Sequence, residues 1–187
     1  MPDGPDWNLL YETASAQDGY FTTRQAGEVG YSRPLLARHL RSGRIVRIRR
    51  GIYRIVHYPA SDHEDLVVVW LWSGQTGVFS HETALALYDL SDALPGKIHL
   101  SVPTAWQLRR LKIPAGVELH YAEIVEGERS WFGSVPVTTP RRTLLDCVAD
   151  QVRPDLVQQA HSQALGRGLL ARELEAVRTY LGGYRGV

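Results

Sequence analysis

The sequence predicts an α+β protein: an N-terminal winged helix-turn-helix followed by a mixed α+β region. Three observations predict it. Three short helical stretches follow one another, the periodicity then switches from helical to alternating, and the charge divides the chain into two unlike parts. With 187 residues and 44% hydrophobic composition, the chain can bury a small module and a second core.

Asp6 is placed to N-cap a first helix, in which Trp7, Leu10, Tyr11 and Ala14 recur at helical spacing until Gly19 ends it. Residues 20–21 form a short extended piece. Thr22 or Thr23 caps a second helix that runs through Val29 and is closed by Gly30. Ser32 caps a third, which tolerates Pro34 in its first turn and runs to Arg41 before Ser42 and Gly43 stop it. From residue 44 to 55 the period becomes two. Val46 and Ile48 fall on one strand face and Arg47 and Arg49 on the other, and Arg50-Gly51 supplies the tight turn of a hairpin wing. The return strand, 52–55, brings Arg54 back beside the outgoing arginines.

The pattern changes near Tyr58, so the expected domains are residues 1–58 and 59–187. Ser61-Asp62-His63-Glu64 reads as a capping box opening a helix with Leu66, Val69, Trp70 and Ser73 on one face. A short strand at 78–79 and a helix over 81–88 come next. Strands are expected at 97–102, 117–122 and 134–138, and helices at 140–149, 154–165 and 171–181.

The net charge of +1 hides an asymmetry. Residues 20–56 carry nine arginines (24, 33, 38, 41, 44, 47, 49, 50 and 54) against one acid, Glu28, for a formal +8. The remainder holds 12 basic and 19 acidic residues, or −7. A cationic helix-turn-helix with a hairpin wing is the electrostatic and geometric footprint of duplex-DNA binding. In that geometry the start of the third helix faces base edges, which makes Ser32, Arg33, Arg38 and Arg41 the candidate base readers. Leu36 and Leu40 are expected to bury, and His39 to be structural or solvated. Arg44, Arg47, Arg49, Arg50 and Arg54 are assigned to phosphate or minor-groove contacts. Arginine suits guanine and phosphate alike, which leaves open which one reads a base.

Other function classes find little support. The longest apolar run, 66–72, is far short of a membrane span, and the start, Met-Pro-Asp-Gly-Pro-Asp, lacks the features of a signal peptide, so a cytoplasmic location is expected. Cys147 is the single cysteine, read as packing. His63-Glu64-Asp65 belongs to the capping turn, and Glu82 after His81 is explained by a helix start. No acid stands two residues before Lys97 or Lys112, so the Glu-x-Lys element of a common nuclease core is missing. No metal, cofactor or catalytic residue is expected, and an enzymatic reading would rest on His63, His81 and Glu82. Trp106 with Arg109 and Arg110 reads as a half-buried ring among surface charges. Arg141-Arg142 at a helix start opposes the helix dipole and calls for a nearby carboxylate or phosphate.

Three segments in order resemble one family: Gly19-Tyr-Phe-Thr-Thr-Arg-Gln-Ala-Gly with the Ser32 helix and the Val46-Arg-Ile-Arg-Arg-Gly-Ile-Tyr-Arg wing, Phe79-Ser-His-Glu-Thr-Ala-Leu-Ala-Leu, and Val137-Thr-Thr-Pro-Arg-Arg-Thr-Leu-Leu-Asp. They are similar to AbiEi-type antitoxins of bacterial toxin–antitoxin systems. The resemblance implies a repressor of its own operon that binds promoter repeats and counters a co-encoded nucleotidyltransferase-like toxin. It adds Thr22, Thr23 and Arg24 to the DNA face, and it matches Ser80, His81, Glu82, Arg141, Arg142 and Asp146 without assigning them a role beyond the fold. The alternative is a winged-helix regulator with a ligand-sensing or dimerisation domain and no toxin partner.

Overall fold

A computed structural model describes residues 4–184; the first three residues, read above as part of a leaderless start, and the last three, assigned to the second domain, lie outside the described residues. The chain forms two compact units, residues 1–75 and 76–187.

In the first unit, Asp6 caps α1 (Trp7–Ser15) by accepting from the amides of Asn8 and Leu9 at 2.9 and 3.1 Å. After β1 (Tyr20–Thr22), Thr22 closes a capping box with Gln25 at the start of α2 (Thr23–Glu28). Ser32 caps α3 (Arg33–Arg41), accepting from Leu35 N–H at 3.4 Å. The wing is β2 (Ile45–Arg49) and β3 (Ile52–Ile55), joined at Arg50-Gly51, where Gly51 has φ +80°. With β1 they form an antiparallel sheet in the order β1-β3-β2. Leu10, Ala14, Phe21, Ala26, Tyr31, Leu36, Ile45 and Ile55 make the core, and Leu40 packs against it, half-buried.

Two features of the wing differ from simple alternation. Ile45, not Val46 or Ile48, is the core residue of β2; the latter two are 42% and 40% exposed. A β-bulge lies between Arg47 and Arg49, so Arg47 pairs with Tyr53 but Arg49 with Ile52. Adjacent residues of β3 point to opposite faces, so Arg47 and Arg49 diverge rather than share one. A bulge is an extra residue, and a pure period-two reading cannot place it.

The first unit also takes in α4 (Glu64–Trp72), which the sequence assigned beyond a 58/59 boundary. Two polar ties explain its attachment. Glu64 accepts from the Tyr20 hydroxyl (2.8 Å) and from Arg54 (3.0 Å), and Gln75 donates to Gln17 Oε1 (2.8 Å). Gln17 and Gln25 are buried and exchange amide hydrogen bonds of 2.9 and 3.3 Å, so the three glutamines form one network. Only half of the expected capping box forms: Glu64 accepts from Ser61 N–H at 3.3 Å, but Ser61 Oγ donates to Asp18 at 3.0 Å, and His63 takes the N-cap place. Instead of one apolar stripe, α4 buries every residue from Leu66 to Leu71, as an all-round hydrophobic helix must.

The second unit is built on a five-stranded sheet, order β6-β5-β4-β8-β7: β4 (Val78–Phe79), β5 (Ile98–Val102), β6 (Val117–Tyr121), β7 (Arg129–Phe132) and β8 (Val135–Thr138). The pairs β5–β6 and β4–β8 are parallel, and β4–β5 and β7–β8 antiparallel. Helices α5 (His81–Leu87), α6 (Pro140–Ala149), α7 (Pro154–Gly166) and α8 (Glu175–Tyr184) supply the core residues Leu85, Leu144, Cys147, Val157, Ala160 and Val177. Cys147 is fully buried there, and burial pushes its thiol pKa up. The edge strand β7 is absent from the sequence reading; its signal was the two-residue Gly133-Ser134 turn, with Gly133 at φ +55°. Helix α8 starts four residues later than expected, because Leu174 is buried and its N–H is taken by His161 Nε2 at 3.1 Å.

Candidate nucleic-acid interface

A groove of about 610 Å³ lies between α3 and the wing, lined by Arg33, Ala37, Arg47, Arg50, Tyr53 and Thr23. Its parts follow from local structure. Arg33 is the first residue after the Ser32 cap and Ala37 is one turn on, so both fall on one face of α3. On the wing side, Arg47 pairs with Tyr53, whose ring stacks on buried Phe21 with centroids 5.6 Å apart. Thr23 fixes the wing tip to α2 through its N–H and hydroxyl, both donated to Gly51 carbonyl at 2.9 and 3.4 Å.

The expected DNA-facing residues separate into three sets. Arg33, Arg47 and Arg50 converge on the groove with Thr23, and Arg49 and Arg41 are exposed beyond it. Arg38 and Arg44 border a different surface of α3, shared with Leu35, His39 and Ser42; Arg44 lies 5.7 Å from the Trp7 ring. Among the described residues, no carboxylate pairs with any of these seven arginines, whereas Arg24 pairs with Glu28 at 3.4 Å. Ser32 stays exposed with its hydroxyl in the cap, and the Thr22 hydroxyl is taken up by Gln25. His39 is structural: it stacks on Trp7 at 5.5 Å, and burial, then Arg44 and Arg38, hold its pKa below the usual histidine range. Ala37 and Tyr53 escaped the sequence reading, although the i+4 step from Arg33 marks the first.

Arg54 is the exception among the wing arginines. Its guanidinium is largely buried and donates to Glu64 Oε1 (3.0 Å) and to the carbonyls of Tyr58 (2.9 Å) and Pro59 (3.2 Å), 5.7 Å from the Tyr20 ring. The sequence could not show this, because Glu64 lies ten positions on, in another element. Burial works to raise the Glu64 carboxyl, but hydrogen bonds from Tyr20 and Ser61 and the Arg54 charge outweigh it and hold the carboxyl below the ordinary range. A depressed carboxylate stabilises the fold above its unfolded pKa, and that contribution is lost as pH falls through the folded one. Arg54→Ala should therefore lower stability by about 2 kcal/mol at neutral pH, by leaving Glu64 without its charge partner. Urea melts from pH 7 down to 3 check this: Glu64→Gln should lose less stability on acidification than wild type, and equal losses would refute the role given to Glu64.

The second unit holds a side-chain cluster that the sequence reading did not assemble. His81, at the start of α5, His99 on β5, His120 on β6 and Asp150 after α6 meet in one cleft. Asp150 Oδ2 lies 3.1 Å from His81 Nε2 and 2.9 Å from His120 Nδ1, and the His81 and His120 rings stack at 3.6 Å. Ser80 Oγ is 2.9 Å from His81 Nδ1, giving the order Ser-His-Asp. Ser80 is fully buried and bonded by Ser101 Oγ at 2.8 Å, so no substrate carbonyl reaches it and the arrangement is not a hydrolase triad. Lone histidines in sequence gave no signal, since His81 and His120 lie 39 positions apart.

The carboxylate expected near Arg142 is present twice: its guanidinium donates to Glu128 at 2.6 Å and Asp146 at 2.7 Å. Trp106 is buried, with Arg109 stacked over it at 4.7 Å, so this pair is packing. Among the described residues, no helix is long and apolar enough to cross a membrane.

A winged helix-turn-helix whose groove arginines on α3 and the wing have no carboxylate partner among the described residues has the architecture of a DNA-binding transcriptional regulator. Residues 8–56 match the family model "Transcriptional regulator, AbiEi antitoxin". None of the curated proteins matches the sequence. The fold is similar to the crystal structure of the RV2827C protein from Mycobacterium tuberculosis, at TM-score 0.51 and 16% identity, over 97% of this chain and 84% of that one. At that identity the likeness supports the fold alone.

Proposed function

We propose that this protein is a sequence-specific repressor acting in the cytoplasm as the antitoxin of a toxin–antitoxin operon, binding repeats in its own promoter and countering a co-encoded nucleotidyltransferase-like toxin. The observation that carries the reading is the convergence of Arg33, Arg47 and Arg50 on one groove, without partner carboxylates among the described residues, inside the segment that matches the family model. Arg33 sits where the first turn of a recognition helix meets base edges, and Ala37 offers a methyl-sized contact for thymine. Arg47, Arg49 and Arg50 are suited to phosphate or minor-groove contacts. The proposed role is non-enzymatic and requires no cofactor.

The test is a footprint of the full chain on the DNA upstream of its own reading frame, joined to a rescue assay. Protection of repeated sites, with repression of a reporter and relief of toxicity from the adjacent gene, is the expected result. Repression without relief from any neighbouring product would support the alternative, a regulator whose second unit senses a ligand or dimerises. No protection at low salt would overturn the DNA reading itself.

A further inference from the structure

The second unit brings together donors that no role in DNA binding explains. We propose that His81, His120 and Asp150 form a binding site for one divalent transition-metal ion of the zinc class, with its remaining coordination position open to the cleft.

The geometry supplies three donor atoms from three elements. His81 Nε2 and His120 Nδ1 both face Asp150 Oδ2, at 3.1 and 2.9 Å, and the three atoms lie within 4.8 Å of one another. A tetrahedral zinc bonded at about 2.0–2.1 Å holds its ligand atoms about 3.3 Å apart, so both nitrogen-to-carboxylate distances need to open by only a few tenths of an ångström, and the stacked His81 and His120 rings must turn to aim their in-plane lone pairs at one ion. Two imidazoles and one carboxylate suit zinc, cobalt or nickel and discriminate against calcium and magnesium, which take oxygen ligands.

The surroundings of the donors point the same way. A metal-bound histidine needs its other ring nitrogen held, and both are: His81 Nδ1 lies 2.9 Å from Ser80 Oγ, and His120 Nε2 lies 2.9 Å from His99 Nδ1. Ser80 carries one donor and two lone pairs, so it supports either tautomer of His81, including the one that frees Nε2 for an ion. His81 itself has φ +52°, a left-handed backbone that is uncommon for a side-chain-bearing residue and sets the direction of the ring. Glu82 and Glu118 line the same cleft, and its one lysine, Lys97, is paired with Glu118 at 3.0 Å, so the field there favours a cation. An ion bound here would tie α5 and the end of α6 to β6, one of the two edge strands of the sheet.

The full chain, stripped with chelator and desalted, is titrated with Co²⁺ followed by visible absorption, and with Zn²⁺ against a chromophoric chelator. One ion per chain is expected, with the d–d bands of a four- or five-coordinate cobalt site displaced by zinc. His120→Ala and Asp150→Ala should each weaken binding on the order of a hundredfold, since even loss of an outer-sphere partner weakens metal sites 10–100-fold. His63→Ala, outside the cleft, should bind as wild type does. At free zinc about 100 times the wild-type Kd, the folding equilibrium of wild type should rise about a hundredfold and that of Asp150→Ala only about twofold. Far-UV circular dichroism confirms that each variant is folded, and His120→Gln replaces any alanine variant that is not. No uptake by wild type at micromolar ion, or undiminished affinity in both cleft variants, would overturn the site. Neither result bears on the DNA footprint, so the two readings stand or fall separately.

Discussion

Arg47→Ala combined with Arg50→Ala should weaken binding to duplex DNA about a hundredfold, from about 1.5 kcal/mol for each charge-assisted contact removed. The loss should be nearly uniform across DNA sequences, because contacts to phosphate position the protein without reading bases. Each lost phosphate contact releases about one counterion fewer, so the slope of log K against log salt should become shallower by about 1.8. Arg33→Ala is expected to behave differently: it should narrow the gap between cognate and scrambled sites at one base-pair position and change the slope by at most about one. Titrations at several salt concentrations separate these effects. An unchanged slope in the double variant would show that the groove does not face DNA. Arg54→Ala is the internal control, since its guanidinium is already bonded to Glu64, Tyr58 and Pro59 and should leave the slope as in wild type.

The other large effect is expected in the second unit. Arg142 is flanked by Glu128 and Asp146, all three largely buried, and burial raises the Asp146 carboxyl even though the Arg142 hydrogen bond and charge oppose the rise. Arg142→Ala removes the cation from between two carboxylates and should destabilise the unit by about 3 kcal/mol at neutral pH, as breaking a buried pair from one side does. A carboxyl whose pKa is raised by folding takes up protons as pH falls, so acidification relieves the strain of keeping it charged. The deficit of Arg142→Ala should therefore shrink between pH 7 and pH 5. Adding Asp146→Asn to Arg142→Ala should recover part of it at pH 7. Thermal melts of the three proteins across that range decide the matter; a deficit independent of pH would mean that lost packing, not uncompensated charge, is the cause.

Elements whose signals are local were legible in the sequence. The caps at Asp6, Thr22 and Ser32 act within three residues, so reading neighbours in sequence finds them. The Arg50-Gly51 turn is equally local, and the +8 segment declares its electrostatics by composition. What failed depends on register and distance. One bulge sends Arg47 and Arg49 to opposite faces, and the packing of the sheet makes Ile45, not Val46, the core position. Tertiary pairing takes Arg54 out of the DNA-facing set through Glu64, carries α4 into the first unit through Gln75, and gives Arg142 two acids, one of them 14 residues upstream.

By itself, then, the sequence determined a winged helix-turn-helix, the arginines that give it a cationic face, and an α+β second unit. Those follow from hydrogen bonds and periodicities that span a few residues. Only the tertiary structure decided which arginines remain free to meet DNA. It alone also gathered His81, His99, His120 and Asp150 into one cleft, because the fold brings polar atoms of residues tens of positions apart to 2.9–3.1 Å of each other. A side chain's type is written in the chain, but its partner is set by the fold.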